Sequence, residues 1–310
     1  MSVALLFPGQ GSQYVGMGKD LAAAYADTRQ LYERADETLG VRLSRISWEG
    51  PPEALTRTEN AQPAILLHGY AVFRLLPAHV RRAAIVAAGH SLGELTAHLA
   101  AGTFSFEDAL RLVRERGRLM ADAGERRPGT MSAILGLDHA AVASLCEAVT
   151  EGIVVPANFN SDSQVVISGD VAAVARAEAR AREAGARRVV RLNVSGAFHS
   201  PLMEQAREGL GEELRRVEIA EPSFPVVSNA WGSCVTRVDE VRRSLMEQLT
   251  VPVRWTDCLR TMAEREPAVW LELGPGGVLS GLLRRMDRAR QATAIGTLEE
   301  LEGFCEAEEA

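Results

Sequence analysis

The chain has 310 residues, 46% of them hydrophobic and 24% charged, a balance that suits a globular protein with room for two domains and a sizeable core. Its formal net charge of -7 argues against a nucleic-acid partner, whose phosphates want a basic face. No apolar run reaches the roughly 18 residues of a membrane-spanning helix. In chain order, residues 3–7 form an all-apolar run ending at Pro8-Gly9-Gln10-Gly11, the pattern of a buried strand closing in a tight loop. Helical stretches follow to about residue 37. A second apolar run, 84–88, stops at Gly89, and a helix is predicted from about Gly93. Strand, sharp turn and helix make the unit of a parallel α/β sheet.

The pattern changes near Met131. Strands are predicted at 131–135, 153–157, 164–168 and 188–194, with helices at 139–149 and 171–184. The order βαββαβ is the ferredoxin-like motif. Strands at 224–228, 269–273 and 292–295 then alternate with helices, and an acidic final helix covers 299–310. The expected fold is α/β. A large domain with a parallel sheet takes residues 1–127 and 197–310, and an inserted ferredoxin-like domain takes 128–196.

Cys146, Cys234, Cys258 and Cys305 form no CxxC pair and no metal-ligand spacing with histidine, so they read as reduced thiols and no metal site is expected. The opening MSVALLFPGQGSQ lacks the pattern of a signal peptide. The expected compartment is cytoplasmic.

Gly89-His90-Ser91-Leu92-Gly93 matches G-x-S-x-G between a predicted strand and a predicted helix, where a nucleophilic serine needs it. The helix N-terminus supplies free N–H groups and a positive dipole, so the Leu92 amide is a candidate oxyanion donor. The plain alternative is a glycine-rich turn with an incidental serine.

A serine hydroxyl needs a base, and there are six histidines. His68 and His79 fall in an apolar helical region, His98 lies too far along the helix after Ser91, His139 starts a helix as a surface position, and His90 points away from its neighbour. His199 stands in a small-residue turn after a predicted strand, where it faces a cleft or caps a helix. No Asp or Glu just before it completes a triad. A backbone carbonyl does the same work in a dyad, and Gln248 is a candidate source.

The helix predicted from 106 to about 124 starts with a capping pattern, Ser105 with Asp108. At about 100° per residue, Ala109, Leu110, Leu112, Val113, Gly117, Leu119 and Met120 share one face. Arg111, Arg114, Glu115 and Arg118 share the other. Arg116 falls between Leu112 and Met120 on the apolar face. A buried guanidinium is expensive unless paired. It is either satisfied by an internal carboxylate or waits in a pocket for a substrate carboxylate.

The loop Gly9-Gln10-Gly11-Ser12-Gln13 fails as a dinucleotide fingerprint, because Tyr14 stands at the third glycine. A Walker loop from Gly11 meets Met17 instead of lysine. The remaining reading is a turn that presents the Gln10 N–H as a second oxyanion donor.

Together these residues resemble the malonyl-CoA:acyl carrier protein transacylases and the acyltransferase domains of polyketide synthases. The resemblance covers residues 3–290. It runs through FPGQGSQ, ENAQPA at 59–64, GHSLGE at 89–94, RERG around Arg116, ANFNSDSQVVISG at 157–169, GAFHS at 196–200 and LGPGGVLSGL at 273–282. It implies an α/β-hydrolase-like large domain with a ferredoxin-like small one. It implies Ser91 as nucleophile, His199 as base, the Gln10 and Leu92 amides as oxyanion hole, and Arg116 as clamp on the malonyl carboxylate. Gln62 is implied to line the pocket, Asn160 to lie near it, and the Gln248 main-chain carbonyl to orient His199. Phe198, before the base, goes with malonyl over methylmalonyl, since its ring crowds an α-methyl. Gly196 departs from many malonyl domains, which have His there, and GAFHS is closer to free-standing polyketide acyltransferases than to fatty-acid ones.

The implied activity is malonyl transfer from malonyl-CoA to an acyl carrier protein in polyketide or fatty-acid biosynthesis, by a monomer with no bound cofactor and no membrane or nucleic-acid partner. The rivals are an acyl-thioester hydrolase with the same dyad and a non-catalytic docking protein. Carrier proteins are acidic, so a local basic surface is expected, with Arg180, Arg182, Arg187 or Arg188 as candidates.

Overall fold

The computed structural model describes residues 1–309. Its strands are β1 (Val3–Phe7), β2 (Ala84–Gly89), β3 (Gly129–Leu135), β4 (Val154–Ser161), β5 (Gln164–Asp170), β6 (Arg188–Arg191), β7 (Val226–Val227), β8 (Cys234–Val235), β9 (Val269–Leu273) and β10 (Ala292–Ile295). The larger sheet has the order β10-β9-β1-β2-β7-β8, parallel throughout except for the β7–β8 pair.

β1 lies centrally and every residue in it is buried. Alternation along the strand sends Val3, Leu5 and Phe7 into one core and Ala4 and Leu6 into another, on the opposite face. Helices cover both faces, which is why a central parallel strand reads as continuous apolar sequence. Thr58–Leu75 and Leu92–Ala100 contribute Val72, Phe73 and Ala97 to the first core, and Trp255–Ala263 with Val278–Met286 contribute Trp255, Leu259, Leu279 and Leu283 to the second.

The smaller sheet is antiparallel, in the order β4-β5-β3-β6. With helices His139–Glu147 and Val171–Glu183 between its strands, it has the ferredoxin-like connectivity. Val142, Cys146, Val174 and Ala177 pack on Ile134, Val165 and Ile167 on one face. The other face turns Met131, Ala133, Ala157 and Val166 toward the remainder of the protein.

Two strands differ from expectation in ways that bear on the site. β4 continues to Ser161, beyond the predicted 157, because it pairs with β5 up to Ser161 opposite Gln164; it also reaches the large sheet's side, where Phe159 N–H donates to Val253 O (2.9 Å) and Val253 N–H donates to Ala157 O (2.8 Å). β6 stops at Arg191, and Leu192, Asn193 and Val194 leave it to line a cavity. The expected strand 224–228 is reduced to Val226–Val227, and its short antiparallel partner β8 was not anticipated; two residues leave no readable period.

Candidate active site

The cavity lies between the two sheets and measures about 620 Å³. Its reactive edge carries Gln10, His90, Ser91, Leu92, Arg116, Phe198 and His199, and its opposite wall carries Met131, Asn158, Asn160, Val166, Leu192 and Val194.

Ser91 sits between β2 and the helix Leu92–Ala100 with φ 52° and ψ -104°, a conformation a non-glycine residue avoids. The flanking glycines allow it by close approach. A Cβ on Gly89 would lie 1.9 Å from the Gly93 carbonyl, and one on Gly93 would lie 2.0 Å from Phe7 O. The strain falls on the serine itself. Its N–H donates to Asn229 Oδ1 (2.7 Å), and its carbonyl accepts from Gln248 Nε2 (3.1 Å). Asn229 Nδ2 donates to Gly89 O (2.9 Å), so one amide side chain bridges the turn from both sides.

His199 also has positive φ, 56°, and is buried. Its Nε2 lies 2.8 Å from Ser91 Oγ, and its Nδ1 lies 2.9 Å from the main-chain carbonyl of Gln248. A carbonyl only accepts, so Nδ1 carries the proton and Nε2 presents its lone pair to the serine hydroxyl. Burial, and then the Arg116 charge, pull His199 down to about 3, so the ring is neutral at pH 7.

Arg116 is buried on the apolar face of the helix Phe106–Arg126, 1% exposed. Its Nη1 donates to Gln62 Oε1 (2.7 Å), and its Nη2 donates to Gln248 Oε1 (2.8 Å) and to Ser91 Oγ (3.1 Å). Its Nε has no partner. Burial pulls the guanidinium down to about 10, opposed by Glu94, so it stays charged. The helix is seated by its neighbours in sequence. Arg114 Nη1 donates to Glu59 O (2.7 Å), a carbonyl freed because Pro63, four residues on, has no N–H. A Cβ on Gly117 would lie 2.7 Å from Thr58 O.

Gln62 does not line the cavity. It is fully buried behind Arg116, its Nε2 directed at Met120 Sδ (3.4 Å), because its oxygen is taken by the guanidinium. Asn160 lies on the cavity wall, its Oδ1 2.9 Å from His90 Nε2. Phe198 is buried against the same space, 6% exposed. Gln10 and Leu92 both face the cavity, and Leu92, as the first helical residue, has no carbonyl four back within the helix for its N–H.

Sequence reasoning missed two residues. Asn229 follows β7, 138 positions from Ser91, and nothing local marks it. Glu94 stands in a helix whose nine residues are all buried, the same kind of anomaly that singled out Arg116. One of its oxygens, Oε2, accepts from Gln248 Nε2 (2.5 Å) and Asn229 N–H (3.0 Å). Burial pushes Glu94 up to about 7 against those hydrogen bonds and the Arg116 charge. His139, expected at the surface, is half-buried: its ring packs on Phe159 and its Nε2 lies 2.9 Å from Ser161 O.

A second, open cavity of about 600 Å³ shares Arg285 with the first and is lined by Arg187, Arg284 and Arg288 as well. Of the four arginines expected to form a basic surface, only Arg187 belongs to it. Among the described residues no helix is long and apolar enough to cross a membrane, and no group of three or more His, Cys, Asp or Glu could hold a metal ion.

The chain matches the acyl transferase domain family model over residues 4–307. It is 42% identical to the malonyl CoA-acyl carrier protein transacylase of Escherichia coli O157:H7 over 293 residues, 94% of this chain and 95% of that protein. A crystal structure of malonyl-CoA:acyl carrier protein transacylase from Xanthomonas oryzae superposes with a TM-score of 0.95 at 42% identity, covering 99% of each chain. The malonyl-transacylase in complex with a holo type II PKS acyl-carrier protein also gives 0.95, at 39% identity, over 99% of this chain and 100% of that one. The chain belongs to the acyl transferase domain family.

Proposed function

We propose that this protein moves a malonyl group from malonyl-CoA, through an ester on Ser91, to the phosphopantetheine thiol of an acyl carrier protein. The observation that carries the reading is the Arg116 guanidinium. It is buried and charged, held by two neutral amide oxygens, and 3.1 Å from the nucleophile. A general acyl hydrolase has no use for a cation there, since plain acyl chains offer it nothing to pair with.

His199 Nε2 takes the Ser91 proton as Oγ bonds to the thioester carbon. The oxyanion rests on the Gln10 and Leu92 amides, and loss of one such donor slows comparable enzymes by about 10²–10³-fold. The C–S bond breaks, and His199 returns the proton to the departing CoA sulfur. From substrate binding onward Arg116 has released Oγ and holds the malonyl carboxylate throughout. The carrier thiol then gives its proton to His199 and attacks the ester carbon, the C–Oγ bond breaks, and Ser91 is reprotonated. Phe198 narrows the space beside the acyl α-carbon and favours malonyl over methylmalonyl. Gln62 serves as support for Arg116. The chain's own groups and the two thiol partners account for every step.

The cleft of Arg187, Arg284, Arg285 and Arg288 at the cavity's edge offers the acidic carrier a basic landing site on a chain of net charge -7.

The test is intact-protein mass spectrometry after brief mixing with malonyl-CoA, for wild type and Ser91→Ala, followed by holo carrier protein. A malonyl adduct that needs Ser91, persists in buffer and moves to the carrier is expected. Release as free malonate would turn the reading to a hydrolase, and no adduct would refute it.

A further inference from the structure

The buried carboxylate of Glu94 has no assigned part in the transfer described above, yet the active-site hydrogen bonds converge on it. A single oxygen, Oε2, accepts from the Gln248 side chain and from the Asn229 backbone. The Gln248 side chain also holds the Ser91 carbonyl and accepts from Arg116, while its own main chain holds His199. The Asn229 side chain pins the strained turn at Ser91 and Gly89. No arginine or lysine pairs directly with Glu94 among the described residues; the link to Arg116 runs through the Gln248 amide. Burying a carboxylate without a cation is costly, and an apolar residue would serve the core better.

We infer that Glu94 is a positioning residue. By anchoring the Gln248 amide nitrogen and the Asn229 backbone, it sets nucleophile, base and acyl clamp in one frame. The amide of Gln248 has a direction: its oxygen must meet Arg116 and its nitrogen must meet Ser91 O. Arg116 and the Ser91 carbonyl set that direction, and the acceptor at Glu94 anchors the amide nitrogen in it. With the acceptor gone, the amide loses its buried anchor and is free to shift, which displaces Arg116 from the position in which it receives a carboxylate. Misplacement by about 1 Å costs such sites about 10²-fold.

This rests on the malonyl-transfer reading, so the experiment keeps the two apart. Single-turnover acylation of Ser91 by malonyl-CoA and acetyl-CoA is followed by quenched-flow mass spectrometry for wild type, Glu94→Gln, Glu94→Ala and Gln248→Leu. Glu94→Gln keeps an oxygen acceptor and is expected to stay within about threefold of wild type in both rate and malonyl-to-acetyl ratio. Glu94→Ala is expected to lose about 10²-fold with malonyl-CoA, and to lose at least about tenfold in the ratio, because the clamp is disturbed more than the nucleophile. Combined with Gln248→Leu, its effect should be far less than additive, since both cut one linkage. If Glu94→Ala does not fold, the Glu94→Gln and Gln248→Leu arms still decide. A Glu94→Gln protein that loses the ratio, or a Gln248→Leu protein that keeps it, overturns the inference. So does a folded Glu94→Ala protein with an unchanged ratio or with full additivity. Absence of an adduct in wild type sinks the transfer reading and the inference together, whereas a wild-type adduct with any of the other adverse results sinks the inference alone.

Discussion

The Nη2 of Arg116 and the Oγ of Ser91 are 3.1 Å apart, and the hydrogen bond between them joins the proposed acyl clamp to the proposed nucleophile. The guanidinium donates to Oγ, so the serine's own proton is directed to His199 Nε2, the orientation attack requires. In the proposed reaction that bond must give way to the malonyl carboxylate.

Arg116→Ala should therefore separate charged from uncharged acyl groups. Charge-assisted hydrogen bonds contribute about 1.5–3 kcal/mol, so malonyl acylation should fall by at least about 10- to 100-fold. Acetyl acylation should fall less. Single-turnover rates with the two thioesters check this, and equal losses would remove Arg116 from carboxylate recognition.

The pH profile follows from the state of His199. Burial and Arg116 hold its folded value near 3, below the ordinary 6.5, so the neutral base persists as pH falls through 6.5. The kcat/KM for Ser91 acylation, which reports the free enzyme, should show no inflection near 6.5. Since Glu94 itself is raised to about 7, the profile is also taken on Glu94→Gln, where an inflection near 6.5 would mean that the ring is more exposed in solution than its burial implies.

Acid stability carries the opposite consequence. His68, His98 and His199 are held neutral by burial, at about 4, 3 and 3. Below 6.5 the unfolded chain binds protons that the folded one refuses, so stability falls with pH, by up to about 1.4 kcal/mol per unit for each group. His90 is shifted in the same direction. Glu94, raised to about 7, opposes them as pH falls from there to 4.5, since its folded form takes up the proton first. The histidines outnumber it, and Tm should drop between pH 6.5 and 4. Calorimetric scans showing a flat or rising Tm would contradict this.

Gly93→Ala is a packing test. The added methyl would meet the Phe7 carbonyl at 2.0 Å, forcing β1 away from the nucleophile helix. Overpacking of this kind destabilises by about 1–3 kcal/mol, and the shift displaces Ser91 as well. Denaturant titration and adduct formation should both suffer; a stable, active variant would show that the turn relaxes easily.

Reversing charge in the basic cleft, with Arg284→Glu and Arg288→Glu together, should raise KM for the carrier by about tenfold at low salt and less at high salt. Unchanged, salt-insensitive transfer would place the carrier elsewhere.

How far the sequence discloses this site depends on range. Ser91 is legible because its turn, strand and helix are contiguous. Arg116 is legible because periodicity alone places a cation among Leu112, Val113 and Met120. Glu94 is open to the same reasoning, since it stands in a helix with no polar face. Asn229 was not legible: its contacts with Ser91 and Glu94 span 138 and 135 positions and join elements whose pairing no local pattern dictates. The extension of β4 follows its hairpin pairing with β5, up to Ser161 opposite Gln164, and β6 ends where residues 192–194 leave it to line the cavity.

The seam that β4 makes between the two sheets divides labour in the cavity. Ser91, His199, Arg116 and the Gln10 loop all come from one side of it, while Met131, Val166, Leu192 and Val194 come from the other. Most of the cavity's apolar wall and its reacting groups thus come from separate stretches of chain, with Arg116 and Phe198 on the side of the reacting groups. A change of size at Met131, Val166, Leu192 or Val194 would reshape the cavity without touching the hydrogen bond between Ser91 and His199.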